Sequence, residues 1–104
     1  MNVNPFEILK NAQKIQEQMG DFQEKLGKIR VTGSAGGGMA GIEMNGRMET
    51  LAVRIAPEAM EDREMLQDLI MAAYNNAMEK VREAINMEVG GLFPGGVPNI
   101  PGVL

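Results

Sequence analysis

VTGSAGGGMAGIEMNGRMETLAVRI, residues 31–55, is the stretch whose reading decides the fold. Ile29, Val31, Gly33 and Ala35 alternate with Arg30, Thr32 and Ser34. Ala40, Ile42 and Met44 alternate with Gly41 and Glu43, and Leu51, Val53 and Ile55 with Thr50, Ala52 and Arg54. A period of two sends successive side chains to opposite faces, so each run reads as a half-buried strand. Gly36-Gly37-Gly38 supplies the first turn, and Asn45-Gly46 predicts a type I′ hairpin between the second and third strands. Pro57, which has no amide to donate, ends the ladder. The result is a three-stranded antiparallel meander. The glycine run is not read as a phosphate loop, because strand pattern follows it and no Lys-Ser or Lys-Thr pair accompanies it.

On the N-terminal side the period changes. Ile8, Ala12, Ile15, Met19, Phe22, Leu26 and Ile29 are spaced 4, 3, 4, 3, 4 and 3 apart, the heptad seam of an amphipathic helix. Pro5 suits its first turn and Asn4 its N-cap. Asp21 with Lys25, and Glu24 with Lys28, are acid-before-base pairs one turn apart. Gly20 and Gly27 cost helix propensity and imply a kink or a close backbone approach. On the C-terminal side Glu58–Asp62 reads as a short acidic connection. Asp62 then caps a second helix from about Arg63 to Val89, with the stripe Leu66, Leu69, Ile70, Ala73, Ala77, Val81, Ala84 and Ile85. Gly90-Gly91 is expected to close it, leaving residues 92–104, with Pro94, Pro98 and Pro101, as an extended or mobile apolar tail beyond a single domain of residues 1–91.

The fold class is therefore α+β, in the order α-β-β-β-α. A helix of about 25 residues is roughly 37 Å long, whereas a seven-residue strand spans about 23 Å. The sheet cannot cover both helices, so helical arms project from it. A homodimer would bury the second face of the sheet together with the remaining helix surface.

Composition narrows the chemistry. The chain has 104 residues, 44% hydrophobic and 23% charged, with no Cys and no His. Disulfide and thiolate chemistry are excluded, and the commonest general base and metal ligand is missing. Glu58, Glu61, Asp62, Glu64 and Asp68 form an acidic cluster without an EF-hand pattern, better read as a favourable helix start than as a metal site. Met19, Met65 and Met78 fall on or beside the seams and read as core filling. Nothing calls for a cofactor, a metal or a small-molecule substrate, so a non-enzymatic protein is expected. No apolar run is long enough to cross a membrane, and the first residues do not form a signal peptide, which points to the cytoplasm.

The formal net charge is −4, so any nucleic-acid surface must be local. Residues 1–30 carry five basic and four acidic side chains, whereas residues 58–104 carry three and eight. If the helices pack antiparallel, Lys10, Lys14, Lys80 and Arg82 gather on one arm as a candidate phosphate-contact surface.

Three longer stretches, LKNAQKIQEQMGDFQEKLGKIRVTGSAGGG, MNGRMETLAVRIAPEAM and EDREMLQDLIMAAYNNAMEKV, with the later GGLFPGG, resemble the YbaB/EbfC family of bacterial nucleoid-associated proteins. The resemblance covers residues 8–96. It implies a homodimer with paired sheets at its centre and arms projecting like tweezers. It also implies binding of double-stranded DNA through the arms, with effects on nucleoid organisation and gene expression. Lys10, Lys14, Lys80 and Arg82 are the positions it marks here. An adaptor that grips a protein partner with its arms, its Met-rich surface and the tail residues Leu92, Phe93, Val97 and Ile100 is the alternative.

Overall fold

A computed structural model describes residues 4–92. Its elements are α1 (Pro5–Lys28), β1 (Val31–Ala35), β2 (Ala40–Met44), β3 (Thr50–Ile55) and α2 (Arg63–Leu92), with short 3-10 turns at Gly36–Gly38 and Pro57–Glu61. The order is the α-β-β-β-α read from the sequence, and the strands form one antiparallel sheet in the order β1-β2-β3. The molecule is elongated, 70 × 23 × 18 Å. The tail expected beyond Leu92 lies outside the described residues.

Helix ends follow their local chemistry. Asn4 Oδ1 accepts from the Phe6 amide at 3.0 Å ahead of Pro5, and Asp62 Oδ1 accepts from the Met65 amide at 3.1 Å. At the other end, α2 does not stop at Val89. It continues through Gly90 and Gly91 to Leu92, because glycine weakens a helix without forbidding helical dihedrals. The acid-base pairs expected on α1 do not close. Among the described residues Arg54–Glu43, at 3.9 Å, is the salt bridge formed, as suits exposed pairs that gain little over hydration.

The core is built by α2 lying across β1 and β2 and barely reaching β3. Ala73, Ala77, Val81 and Ile85, at successive four-residue steps, face Ala40, Ile42, Met44 and Leu26. Side-chain size grows along this stripe. At the alanines α2 comes so close to β1 that a Cβ on Gly33 would lie under 3.0 Å from backbone atoms of Ala73 and Ala77. Farther along, Val81 and Ile85 fill the wider space toward Leu26 and the half-buried Phe22. The same helix closes the β1 edge, whose outward backbone groups would otherwise be open to pairing. Asn76 Oδ1 accepts from the Ser34 amide at 3.1 Å, and Lys80 Nζ donates to the Thr32 carbonyl at 2.8 Å.

The opposite face of the sheet is polar, carrying Thr32, Ser34, Glu43 and Arg54. Apolar burial therefore gives a second copy no reason to cover it, contrary to the expectation above. The bare apolar surface lies on the α2 side, where Val53, the cross-strand partner of Ile42, is left open beside Ile70, Met71 and Tyr74.

The Asn45-Gly46 hairpin also differs from expectation. Asn45 accepts from Met48 through its carbonyl at 3.2 Å, its amide donates to the Glu49 carbonyl at 3.1 Å, and Met48 has φ 63°. This is a three-residue loop, a turn followed by a left-handed residue, instead of the two-residue type I′ turn. Asn45 is buried, and its Oδ1 holds the amides of Arg47 and Glu49 at 2.9 and 3.1 Å. A β-unbranched side chain is tolerated in the left-handed region at a cost that glycine avoids. Met48→Gly is accordingly expected to raise stability by about 0.5–1 kcal/mol, even after allowing for the greater freedom of glycine in the unfolded chain. An unchanged or lowered urea midpoint would contradict the strain at this position.

Candidate nucleic-acid interface

Helix α1 is anchored to the body by its last turns alone. Gly46 donates to the Leu26 carbonyl at 2.8 Å, and the Arg47 guanidinium donates through Nε and Nη2 to the Gln23 carbonyl at 3.1 and 2.9 Å. The same guanidinium lies over Gly27, where a Cβ would meet its Cζ at 3.0 Å. Of the two helix glycines singled out in the sequence, Gly27 makes the close approach, whereas Gly20 faces open space. Arg30 donates to the Gly27 and Ile29 carbonyls, and the Ile29 amide to the Leu26 carbonyl. Orphan carbonyls at a helix C-terminus need such donors. Every residue from Asn4 to Asp21 is exposed, so this half of α1 is an arm standing clear of the sheet.

These anchors sort the cations. Arg30 and Arg47 cap α1, Arg54 pairs with Glu43, and Lys80 holds the Thr32 carbonyl. Among the described residues the other six of the ten basic side chains, Lys10, Lys14, Lys25, Lys28, Arg63 and Arg82, have no bonded protein partner, and all are exposed. Four of those six are on α1. At about 100° per residue, Lys10, Lys14, Lys25 and Lys28 fall within a sector of about 60°, opposite the apolar seam. Glu7, Glu17, Asp21 and Glu24 share that side of the helix, so the face carries as many carboxylates as ammonium groups. No ion pair closes among them, and each lysine stays available to an external phosphate.

The four residues expected to act together are not all side by side. The end of α2 meets the second half of α1, where Glu88 lines an open cleft of about 420 Å³ with Ile15, Gln18, Met19, Asp21, Phe22 and Lys25. Val81 belongs to the same buried cluster as Leu26. Lys80 and Arg82 therefore sit near the base of the arm, and Lys10 and Lys14 are twelve or more residues farther out, roughly 20 Å along the helix. Lys25 and Lys28 lie closer to Lys80 and Arg82 than the outer pair does. The sequence carried that signal in their shared helical sector with Lys10 and Lys14, but the level at which α2 crosses α1 is tertiary information.

The cleft beside this surface is open, and among the described residues no three His, Cys, Asp or Glu side chains group as metal ligands. Among the described residues no helix is long and apolar enough to cross a membrane. The arrangement defines an α-β-β-β-α binding protein that displays charge on a projecting helix. Residues 1–97 match the YbaB/EbfC DNA-binding family, and the chain belongs to that family. It is 43% identical to a nucleoid-associated protein of Legionella pneumophila over 97% of this chain and 89% of that one. It is also 43% identical to a nucleoid-associated protein of Pelotomaculum thermopropionicum, over 99% and 98% of the two chains. The crystal structure of an uncharacterized Helicobacter pylori protein has the same fold, with a TM-score of 0.76, 24% identity, and coverage of 88% of this chain and all of the other.

Proposed function

We propose that this chain is a nucleoid-associated protein that binds double-stranded DNA as a homodimer, through basic side chains on its helical arms, and so influences nucleoid organisation and gene expression. The observation that carries the reading is the α1 arm, exposed along its outer half and bearing four of the six uncommitted cations of an acidic chain. Family membership supports DNA as the ligand, and the names of the relatives support a nucleoid role. The bare apolar surface of Val53, Ile70, Met71 and Tyr74 supports pairing of two copies, which would double the number of arms.

Lys10 and Lys14 reach phosphates from the outer arm, and Arg82 from its base. Lys80 contributes there by releasing the Thr32 carbonyl or by sharing its remaining donors. Phosphate contacts carry little sequence information, so binding is expected to be weakly sequence-dependent and strongly salt-dependent. With four to six phosphates neutralised per dimer, a plot of log affinity against log salt should have a slope of about −4 to −5. Fluorescence-anisotropy titrations in a salt series check this. The quadruple variant K10A/K14A/K80A/R82A should lose most binding, with its urea midpoint lowered only by the loss of the Lys80 bond to the Thr32 carbonyl. The double variants K10A/K14A and K80A/R82A then divide the slope between tip and base. An unaltered slope in the quadruple variant would withdraw these residues from the interface. Absence of binding by the parent protein at low salt would instead leave the protein-partner reading.

A further inference from the structure

We infer that the exposed seam of α1 is the docking surface for the α1 of a second copy, the two arms pairing antiparallel as a short coiled coil. The 4 and 3 spacings from Ile8 to Ile29 keep a repeat of about 3.5 residues, and a seam of that period faces a partner helix along its whole length. Among the described residues the chain itself covers the inner end alone. Leu26 is buried and Phe22 half-buried, yet Met19, Ile15 and Ile8, on the same stripe, are 62%, 55% and 53% exposed. A helix with half its apolar face in water is marginal by itself, because helical stability in proteins comes mostly from packing that face.

The seam fits its own reverse. With Ile8 set opposite the Met19 position of a second copy, Ala12 falls opposite the Ile15 position, and the other two layers repeat these pairs about a two-fold axis. Small Ala12 thus receives a branched side chain, and no layer joins two small residues or leaves one empty. The overlap, residues 8–19, is about 17 Å long at a helical rise. It lies inside the exposed stretch from Asn4 to Asp21. Antiparallel order then holds the two sheets at opposite ends of the pair, where they do not collide.

Charge favours a second copy as the occupant. Chains of net charge −4 repel one another, but the positions flanking this seam, Leu9, Asn11, Gln16 and Gln18, carry no charge. In the antiparallel register Asn11 faces the Gln18 position, so amide meets amide. A foreign helix chosen by charge would call for charged flanks instead. Glu88 lines the cleft of Ile15, Met19 and Phe22, level with the start of the second helix, where the helix dipole favours a carboxylate. Lys10, Lys14 and Glu17 occupy the outer positions of the heptad, and the lysines stay open to phosphate. A contact this short buries less than a stable interface needs, so it closes where copies are concentrated, as along a bound duplex. Paired arms then tie two DNA-bound dimers together, a consequence that rests on the DNA reading above, whereas the pairing itself does not.

The absence of cysteine from the chain permits a direct test. Full-length A12C and size-tagged I15C chains are equilibrated in a glutathione redox buffer without DNA, at high protein concentration, separately and mixed. The inference expects the mixed disulfide to exceed either single-variant disulfide by about tenfold. A12C chains joining chiefly to one another would mean parallel helices, and no disulfide in any sample would mean no pairing; either result overturns the inference. The second measurement is capture of a fluorescent duplex by an immobilised one, with the parent protein and with I8S/I15S. Both substituted side chains are exposed, so the urea midpoint should hold. Capture should fall about tenfold while affinity for a single duplex stays within about twofold. Undiminished capture by I8S/I15S would overturn the inference. Failure of the parent to bind DNA would overturn the DNA reading alone, since the disulfide measurement contains no DNA.

Discussion

Replacing Gly33 by valine is expected to destroy the native fold or to lower its stability by more than about 3 kcal/mol. The first side-chain carbon is already too much, because it would lie under 3.0 Å from the Ala77 amide nitrogen, the Ala73 carbonyl oxygen and the Ala77 Cα. All three are backbone atoms of α2, and no rotamer change moves them. Relief requires α2 to lift from β1. That displacement would open the contacts of Ala73 and Ala77 and pull Asn76 and Lys80 away from the β1 edge. Gly33→Ala should show the same defect in weaker form. Urea denaturation followed by far-ultraviolet circular dichroism measures both, and a wild-type midpoint in Gly33→Val would refute the close crossing of helix and strand.

The second large effect is expected at Gly46, where the hairpin meets the arm. Its amide holds the Leu26 carbonyl, and an added Cβ would stand 2.6 Å from that same oxygen and 3.0 Å from the Ile29 side chain. Gly46→Val should cost about 2–3 kcal/mol and loosen α1 at its root. Removal of the Arg47 guanidinium, which costs two bonds to an exposed carbonyl, should be milder, about 1 kcal/mol. The consequence extends to function if the arms grip DNA. A loosened root leaves Lys10 and Lys14 present but no longer held at a fixed distance from Lys80 and Arg82. Gly46→Val should then weaken DNA binding while leaving the intrinsic charge of the surface unchanged. Amide exchange across residues 20–28 distinguishes a loosened anchor from global unfolding, and unchanged exchange there would rule the anchor out.

The elements were legible because the signals that specify them are local. A 4, 3 spacing from Ile8 to Ile29 and a period of two from Val31 to Ile55 need only neighbouring residues to be read. The same holds for Asn4, Pro5 and Asp62 at the helix starts. The errors occur where local rules meet distant atoms or one another. Local rules give Asn45-Gly46 a two-residue type I′ turn, whereas Gly46 is small because Leu26, twenty positions earlier, packs against it, and Met48 takes the left-handed conformation. Local rules make Gly90-Gly91 a helix stop, but helix-compatible glycines permit continuation to Leu92.

The candidate site was legible only in part. Helical periodicity places four lysines of α1 opposite the seam, and charge counting shows that the N-terminal segment is where an acidic chain can be locally cationic. It could not show that Arg47 spends its charge on the Gln23 carbonyl, or Lys80 on the Thr32 carbonyl, because those bonds join residues 24 and 48 positions apart. By itself, then, the sequence determined the order of helices and strands, their buried stripes and the absence of thiol and imidazole chemistry, all properties of residue type and short-range spacing. Only the tertiary structure decided which glycines lie under backbone, which cations remain available, and which half of α1 stays bare. Each of these depends on where segments far apart in the chain come to rest against one another.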